Sequence, residues 1–186
     1  DALKDELFYS PEHAAFTCED GEIETADSFC GDYIDFLNRC KTEREVAAYV
    51  KTLAEENGFI PFDPDGSYEP GDKVYYDNKG KALILCVFGK QSLKSGAKIV
   101  ASHIDSPRLD LKPNPLYEDT DLALFKTHYY GGIKKYQWTA IPLSLHGVIC
   151  RKDGTKVTVR LGEDEGDPQF VVTDLLPHLD RQQAKR

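Results

Sequence analysis

From Arg108 to about Val172 the sequence contains no stretch with a convincing helical repeat. Short apolar runs such as LALFKTHYY, LSLHGVIC and KVTVRL are punctuated by Pro113, Pro115, the Gly131-Gly132 pair and Asp153-Gly154. Alternating runs separated by turn residues read as strands, and Asp-Gly between two of them is a hairpin signal. Pro113 and Pro115 bracket an expected turn, and the Gly131-Gly132 pair permits close backbone packing. Upstream the period is different. A chain that changes period in this way folds as an α/β portion, a mixed sheet with helices, followed by an all-β portion.

Two helices are expected in the first portion. Phe29, Tyr33, Phe36 and Leu37 recur at helical spacing within residues 24–40, with Thr25 or Asp27 as the cap. The second is marked by Thr42 and Glu45, a capping-box pair, and by the stripe Val46, Val50, Leu53 and Ala54. Gly58 ends it in a left-handed conformation. Residues 61–72 are rich in proline and glycine and read as a loop. KVYYD and ALILCVF flank Asn78-Lys79-Gly80, which predicts a hairpin. Lys98–Ser102 reads as a short, largely buried strand with His103 at its C-terminal end, where sites collect in open α/β sheets. The organisation expected is therefore residues 1–107 as an α/β portion, 108–174 as a separate β domain, and 175–186 as the start of a helix.

Composition narrows the class. A chain of 186 residues can build one sizeable core, or one and a half smaller domains. With 40% hydrophobic and 30% charged residues it is not disordered throughout. A net charge of −9 argues against nucleic acid or an anionic membrane as partner, despite the small basic-aromatic patch of Lys134, Lys135, Tyr136 and Trp138. No apolar run approaches the roughly eighteen residues of a membrane span, and the charged opening DALKDELFYSPEH does not read as a signal peptide. The five cysteines are scattered, odd in number and without a CxxC pair, which points to a reduced, cytoplasmic chain. Methionine is absent even from position 1, and DRQQAKR ends the chain on a charged, helix-like note. Both features read as a trimmed or partial chain.

The residues able to do chemistry centre on SHIDSPRLDLKP, residues 102–113. His103 and Asp105 are two apart, so on an extended backbone they share a side. A histidine can bind zinc through one ring nitrogen while a carboxylate holds the other, fixing tautomer and orientation. The HxD spacing alone leaves this reading open beside a plainer one, a polar strand end whose His and Asp bond locally. One histidine does not make a catalytic zinc site, which takes about three protein ligands. Elsewhere, His146 lies in an apolar alternating strand and has a structural role. His128, beside Tyr129-Tyr130-Gly131-Gly132, is a candidate for substrate or interface contact. Ser106 lacks a G-x-S-x-G setting, no HExxH motif occurs, and the glycine pair has neither a P-loop lysine nor a GxGxxG pattern. The acidic turn GEDEGD lacks calcium-loop spacing and is expected to be solvated.

ASHIDSPRLDLKP, KTEREVAAYVKTLAEENGFIP, HYYGGIKKYQW and VTDLLPHLDR together resemble the aspartyl aminopeptidase and aminopeptidase I family of zinc metallopeptidases, in its bacterial form. The resemblance covers most of the chain. It implies an α/β catalytic domain interrupted by an inserted all-β domain used in assembly. It also implies release of single N-terminal residues from peptides with two divalent metal ions, zinc among them, in large homo-oligomers that are usually dodecamers. By carry-over, His103 resembles the first metal ligand, and Asp105 resembles the catalytic-site aspartate that orients it rather than a direct ligand. Arg108 follows SP where members vary and receives no catalytic role. Members continue well beyond VTDLLPHL, and that further sequence supplies the remaining ligands and the general base. Residues 1–186 alone are thus expected to be inactive. The alternative is a non-catalytic oligomerisation or interaction module derived from the same fold.

Overall fold

The computed structural model describes residues 2–179, in two compact units that divide between Cys40 and Lys41. In the first unit a short helix, α1 (Ala2–Leu7), precedes a 3-10 turn at Ala14–Phe16 and the long helix α2 (Glu22–Arg39). Helix α2 begins two residues earlier than its apolar repeat suggests. Its cap is Gly21 at φ 91°, not Thr25 or Asp27. Glycine reaches that left-handed turn without steric cost, while Thr25 lies inside the helix and donates its hydroxyl back to the Gly21 carbonyl at 2.8 Å.

The second unit opens with α3 (Glu43–Glu56), whose ends are as the sequence predicts. The Thr42 hydroxyl accepts from Glu45 N, and Glu45 Oε2 accepts from Thr42 N at 2.9 Å, closing the capping box. At the other end Gly58 lies at φ 81°, with Gly58 N bonded to Glu55 O and Phe59 N to Ala54 O, a Schellman ending. The buried face is rotated slightly from the expected stripe. Val46, Ala47 and Ala54 are buried, whereas Leu53 stays 46% exposed.

Helix α3 packs on a three-stranded mixed sheet. Strand β1 (Ile60–Pro61) runs parallel to β2 (Lys73–Asn78), which pairs antiparallel with β3 (Ala82–Val87). Val74 and Tyr75 of β2 complete the small core with the α3 residues. The β2–β3 turn carries Lys79 and Gly80 at φ 60° and 65°, the pair of positive angles that a type I′ hairpin turn requires. The 61–72 loop is organised by Tyr68, whose ring stacks between Phe62 and Phe88 and whose hydroxyl bonds Asp63 N at 2.7 Å.

Two separate antiparallel hairpins follow. One joins β4 (Arg108–Asp119) to β5 (Leu122–Tyr130), the other β6 (Leu145–Cys150) to β7 (Lys156–Leu161). The architecture is therefore a mixed α/β sheet region followed by all-β sheets. Among the described residues, no helix is long and apolar enough to cross a membrane.

Two local expectations are corrected. Lys98–Ser102 is not a buried strand: it forms no ladder, and Ile99 and Val100 are 84% and 99% exposed. A strand needs a hydrogen-bonded neighbour, and no described strand pairs with this segment. Pro113 and Pro115 do not bracket a turn; both lie inside β4, at an irregularity between Leu111 and Leu116 where Asn114 takes φ 56°. Proline cannot donate to a ladder, so the chain bulges there. In the C-terminal segment, Phe170 and Val172 make isolated bridges to Leu143 and Thr139. Pro177–Leu179 form a turn, and most of the helix expected over residues 175–186 lies outside the described residues.

Candidate functional site

His103 and Asp105 lie in the irregular segment leading into β4. The imidazole is 85% exposed, and its Nδ1 sits 2.9 Å from the Asp105 carbonyl and 3.2 Å from Asp105 Oδ1. Both neighbours are acceptors, so Nδ1 carries the proton. The lone pair is then on Nε2, facing away from the carboxylate. The arrangement can offer one neutral imidazole nitrogen to a metal while its orientation is held from the other side.

Asp105 is itself held. Its Oδ2 accepts the Tyr130 hydroxyl at 2.6 Å, from the end of β5. That bond is the main reason the Asp105 carboxyl is pushed below the usual carboxylate range, with its own backbone and His103 adding to it. The same bond raises the Tyr130 phenol. The Arg108 guanidinium lies over the Tyr130 ring, 4.1 Å from the centroid, and these two residues are cross-strand partners. Arg108 Nε donates to Asp110 Oδ1 at 2.7 Å, and one terminal nitrogen lies 3.5 Å from Glu43 Oε2 in the first turn of α3. Gly131, at φ 80°, brings its backbone against Pro107. The segment that carries His103 is thereby tied to the open end of the β4–β5 hairpin.

His128 pairs across from Asp110 on the face that carries Arg108 and Tyr130, two residues from the latter. It is exposed, and its ring stacks on Tyr129. His146 is placed quite differently. Its side chain is 6% exposed, with Nδ1 2.7 Å from Glu45 Oε1 and Nε2 2.9 Å from Glu163 Oε1. Both nitrogens are occupied by carboxylates, which suits a structural tie and leaves neither for a metal. Glu163 comes from the acidic turn expected to be solvated, and it also accepts the Ser144 hydroxyl at 2.7 Å.

Among the described residues, no three His, Cys, Asp or Glu side chains converge on a point where they could hold a metal. His103 fits one coordination position and has no second ligand beside it. The sequence reading missed Tyr130 and the Arg108 clamp. Register from the turn alone does not supply the pair: counting back from Thr120-Asp121 sets Arg108 opposite Ile133, and the irregularity between Leu111 and Leu116 moves its partner to Tyr130.

A single histidine held by its neighbouring aspartate on an α/β framework does not by itself define a class of protein; comparison with known proteins defines the family. Residues 36–186 match the family of aminopeptidase I zinc metalloproteases (M18), and the chain belongs to it. It is 48% identical over 172 residues to a probable M18 family aminopeptidase 1 of Clostridium acetobutylicum, a match covering 90% of this chain and 37% of that relative. The crystal structure of aminopeptidase I from Borrelia burgdorferi superposes with a TM-score of 0.83 at 40% identity, covering 88% of this chain and 41% of that one. The chain thus spans well under half the length of these relatives. A yeast Ape1 dodecamer, 20% identical with a TM-score of 0.68, shares the fold over 81% of this chain and 36% of its own.

Proposed function

We propose that this chain is the N-terminal part of a longer bacterial-type metalloaminopeptidase that releases single N-terminal residues from peptides, with His103 as its first metal ligand. The observation that carries the reading is the His103–Asp105 pair, in which the carboxylate and carbonyl of Asp105 hold Nδ1 and leave Nε2 open. Membership of a zinc metalloprotease family supports the choice of metal. When bound, two zinc ions supply Lewis-acid chemistry to the scissile carbonyl and to the attacking water. The chain's own contribution is narrower: His103 fills one coordination position, and Asp105 keeps the ring proton on Nδ1. The remaining ligands and the general base come from outside residues 1–186.

Exposed surface supports a longer protein. Ile99 and Val100, strand-forming and almost fully exposed, would pair with a strand supplied by the rest of the enzyme. In the same reading the division falls near residue 107, and residues 108–174 form the inserted assembly domain of a cytoplasmic homo-oligomer, a dodecamer as in the yeast protein. Leu116, Leu122 and Ile149, each more than half exposed, supply apolar surface for such contacts. They equally favour the second reading, a non-catalytic assembly module.

The test is the full-length protein, assayed on peptides with acidic and neutral N-terminal residues before and after chelation. Activity should vanish on metal removal and return with zinc. His103→Ala should lower metal content, read by elemental analysis, and abolish turnover; normal metal content in that variant would reject the ligand role. Preference for N-terminal aspartate or glutamate would place the enzyme with the aspartyl aminopeptidases. An active chelated enzyme would end the metal reading, and a folded, inactive, metal-free oligomer would favour the assembly module.

A further inference from the structure

An orienting carboxylate must itself be oriented. Asp105 lies in a segment without ladder or helix bonds, so its backbone gives the side chain little fixed direction. Its two oxygens are divided: Oδ1 faces His103 Nδ1 at 3.2 Å, and Oδ2 accepts from Tyr130 at 2.6 Å. A hydroxyl bonded this closely to a charged acceptor is a strong restraint. It comes from a residue 25 positions away on a regular strand. Free of that bond, the carboxylate would turn about its terminal torsion, which is soft for aspartate, and the imidazole would be held at Nδ1 by the Asp105 carbonyl alone.

The tyrosine is equally constrained. Arg108 covers its ring at 4.1 Å and is anchored by Asp110 on its own strand and by Glu43 on α3. One terminal nitrogen of Arg108 is buried without a hydrogen-bond partner, with a Glu43 carboxylate oxygen 3.5 Å from it. Leaving a guanidinium nitrogen in that state is costly. The placement makes sense as a clamp on the ring, since the stack on Tyr130 and the bond to Asp110 fix the guanidinium plane between them.

We propose that Tyr130 is a positioning residue for the metal-binding imidazole, acting through Asp105 and held in place by Arg108. The inference rests on the reading of His103 as a ligand. Tyr130 touches neither metal nor substrate. It sets the direction in which Nε2 points, so its contribution is to metal affinity and to turnover rather than to substrate binding.

The test uses the full-length protein, with zinc affinity measured by competition against a chromogenic chelator, alongside kcat, KM and the melting temperature of the metal-free form. Tyr130→Phe keeps the ring and its stack on Arg108 but removes the donor. It should weaken zinc binding about tenfold, the scale of outer-shell partners, and lower kcat with KM and the metal-free melting temperature unchanged. Asp105→Ala should weaken binding further, and adding Tyr130→Phe to it should change nothing more, because the tyrosine acts through that carboxylate. Wild-type affinity in Tyr130→Phe, a fully additive double variant, or a loss that tracks a lower melting temperature would each overturn the proposal. His103→Ala separates the two readings. If it retains full affinity, the ligand assignment falls and this inference with it; if it loses zinc while Tyr130→Phe does not, only the positioning role falls.

Discussion

Glu45 Oε1 lies 2.7 Å from Nδ1 of His146, a residue 101 positions further along the chain. The other oxygen of the same carboxylate closes the N-terminal capping box of α3 and also accepts from Lys41 N. One side chain therefore both starts a helix and ties it to β6. With Glu163 at its other nitrogen, His146 meets a carboxylate at both ring nitrogens.

Replacing His146 by leucine should destabilise the full-length protein by about 2 kcal/mol, since it leaves two carboxylates without their shared donor. The loss is modest because the Glu45 and Glu163 side chains are 26% and 22% exposed and partly screened by water. Urea unfolding at neutral pH measures it. An unchanged midpoint would show that the tie carries no net stability.

Acid should weaken the same tie. Burial works against the charged Glu45, yet His146 and the backbone of Lys41 prevail and hold its carboxyl below the usual range. Glu163 is lowered by Ser144 and then His146. Carboxyls depressed in the folded state contribute stability above the unfolded pKa of about 4.3 and lose it as pH falls through the lower folded value. Thermal melts from pH 6 down to pH 3 should therefore fall more steeply for the wild type than for Glu45→Gln.

Thr42→Ala removes the side-chain acceptor for Glu45 N. The expected cost is about 1 kcal/mol. Thr42→Ser should recover most of it, because the hydroxyl is what caps the helix. Equal loss in both variants would point to the methyl group instead. Chemical unfolding of the two variants side by side decides the matter.

The β4–β5 turn is strained by its residues. Thr120 and Asp121 sit at φ 52° and 62°, and a β-branched residue is a poor occupant of that region. Thr120→Asn with Asp121→Gly should stabilise the protein by about 1 kcal/mol. A rise in melting temperature without change in metal affinity is expected, since the turn lies at the far end of the hairpin from Tyr130.

Parts of this architecture are legible in the sequence because they rest on neighbours. Thr42, Glu45 and Gly58 mark α3 through bonds spanning a few residues. Asn78-Lys79-Gly80 and Asp153-Gly154 mark their hairpins because the backbone angles belong to the turn itself. Lys98–Ser102 shows the opposite case: its apolar pattern is right for a strand, but a strand exists only beside another, and residue pattern does not supply the neighbour. The PNP irregularity in β4 was misread for a related reason, as proline marks a break in the ladder without saying whether the chain turns or bulges.

The sequence by itself determined the change from α/β to all-β, the capped helix and the family, all through residues close together or through motif. Only the tertiary structure decided which ring nitrogen of His103 is left open, that Tyr130 holds Asp105 from 25 residues away, and that Glu45 meets His146. Those contacts depend on strand register and on how α3 lies against the strands. Loop-closure entropy, rather than local preference, must be overcome to form them. No short window of residues carries that information.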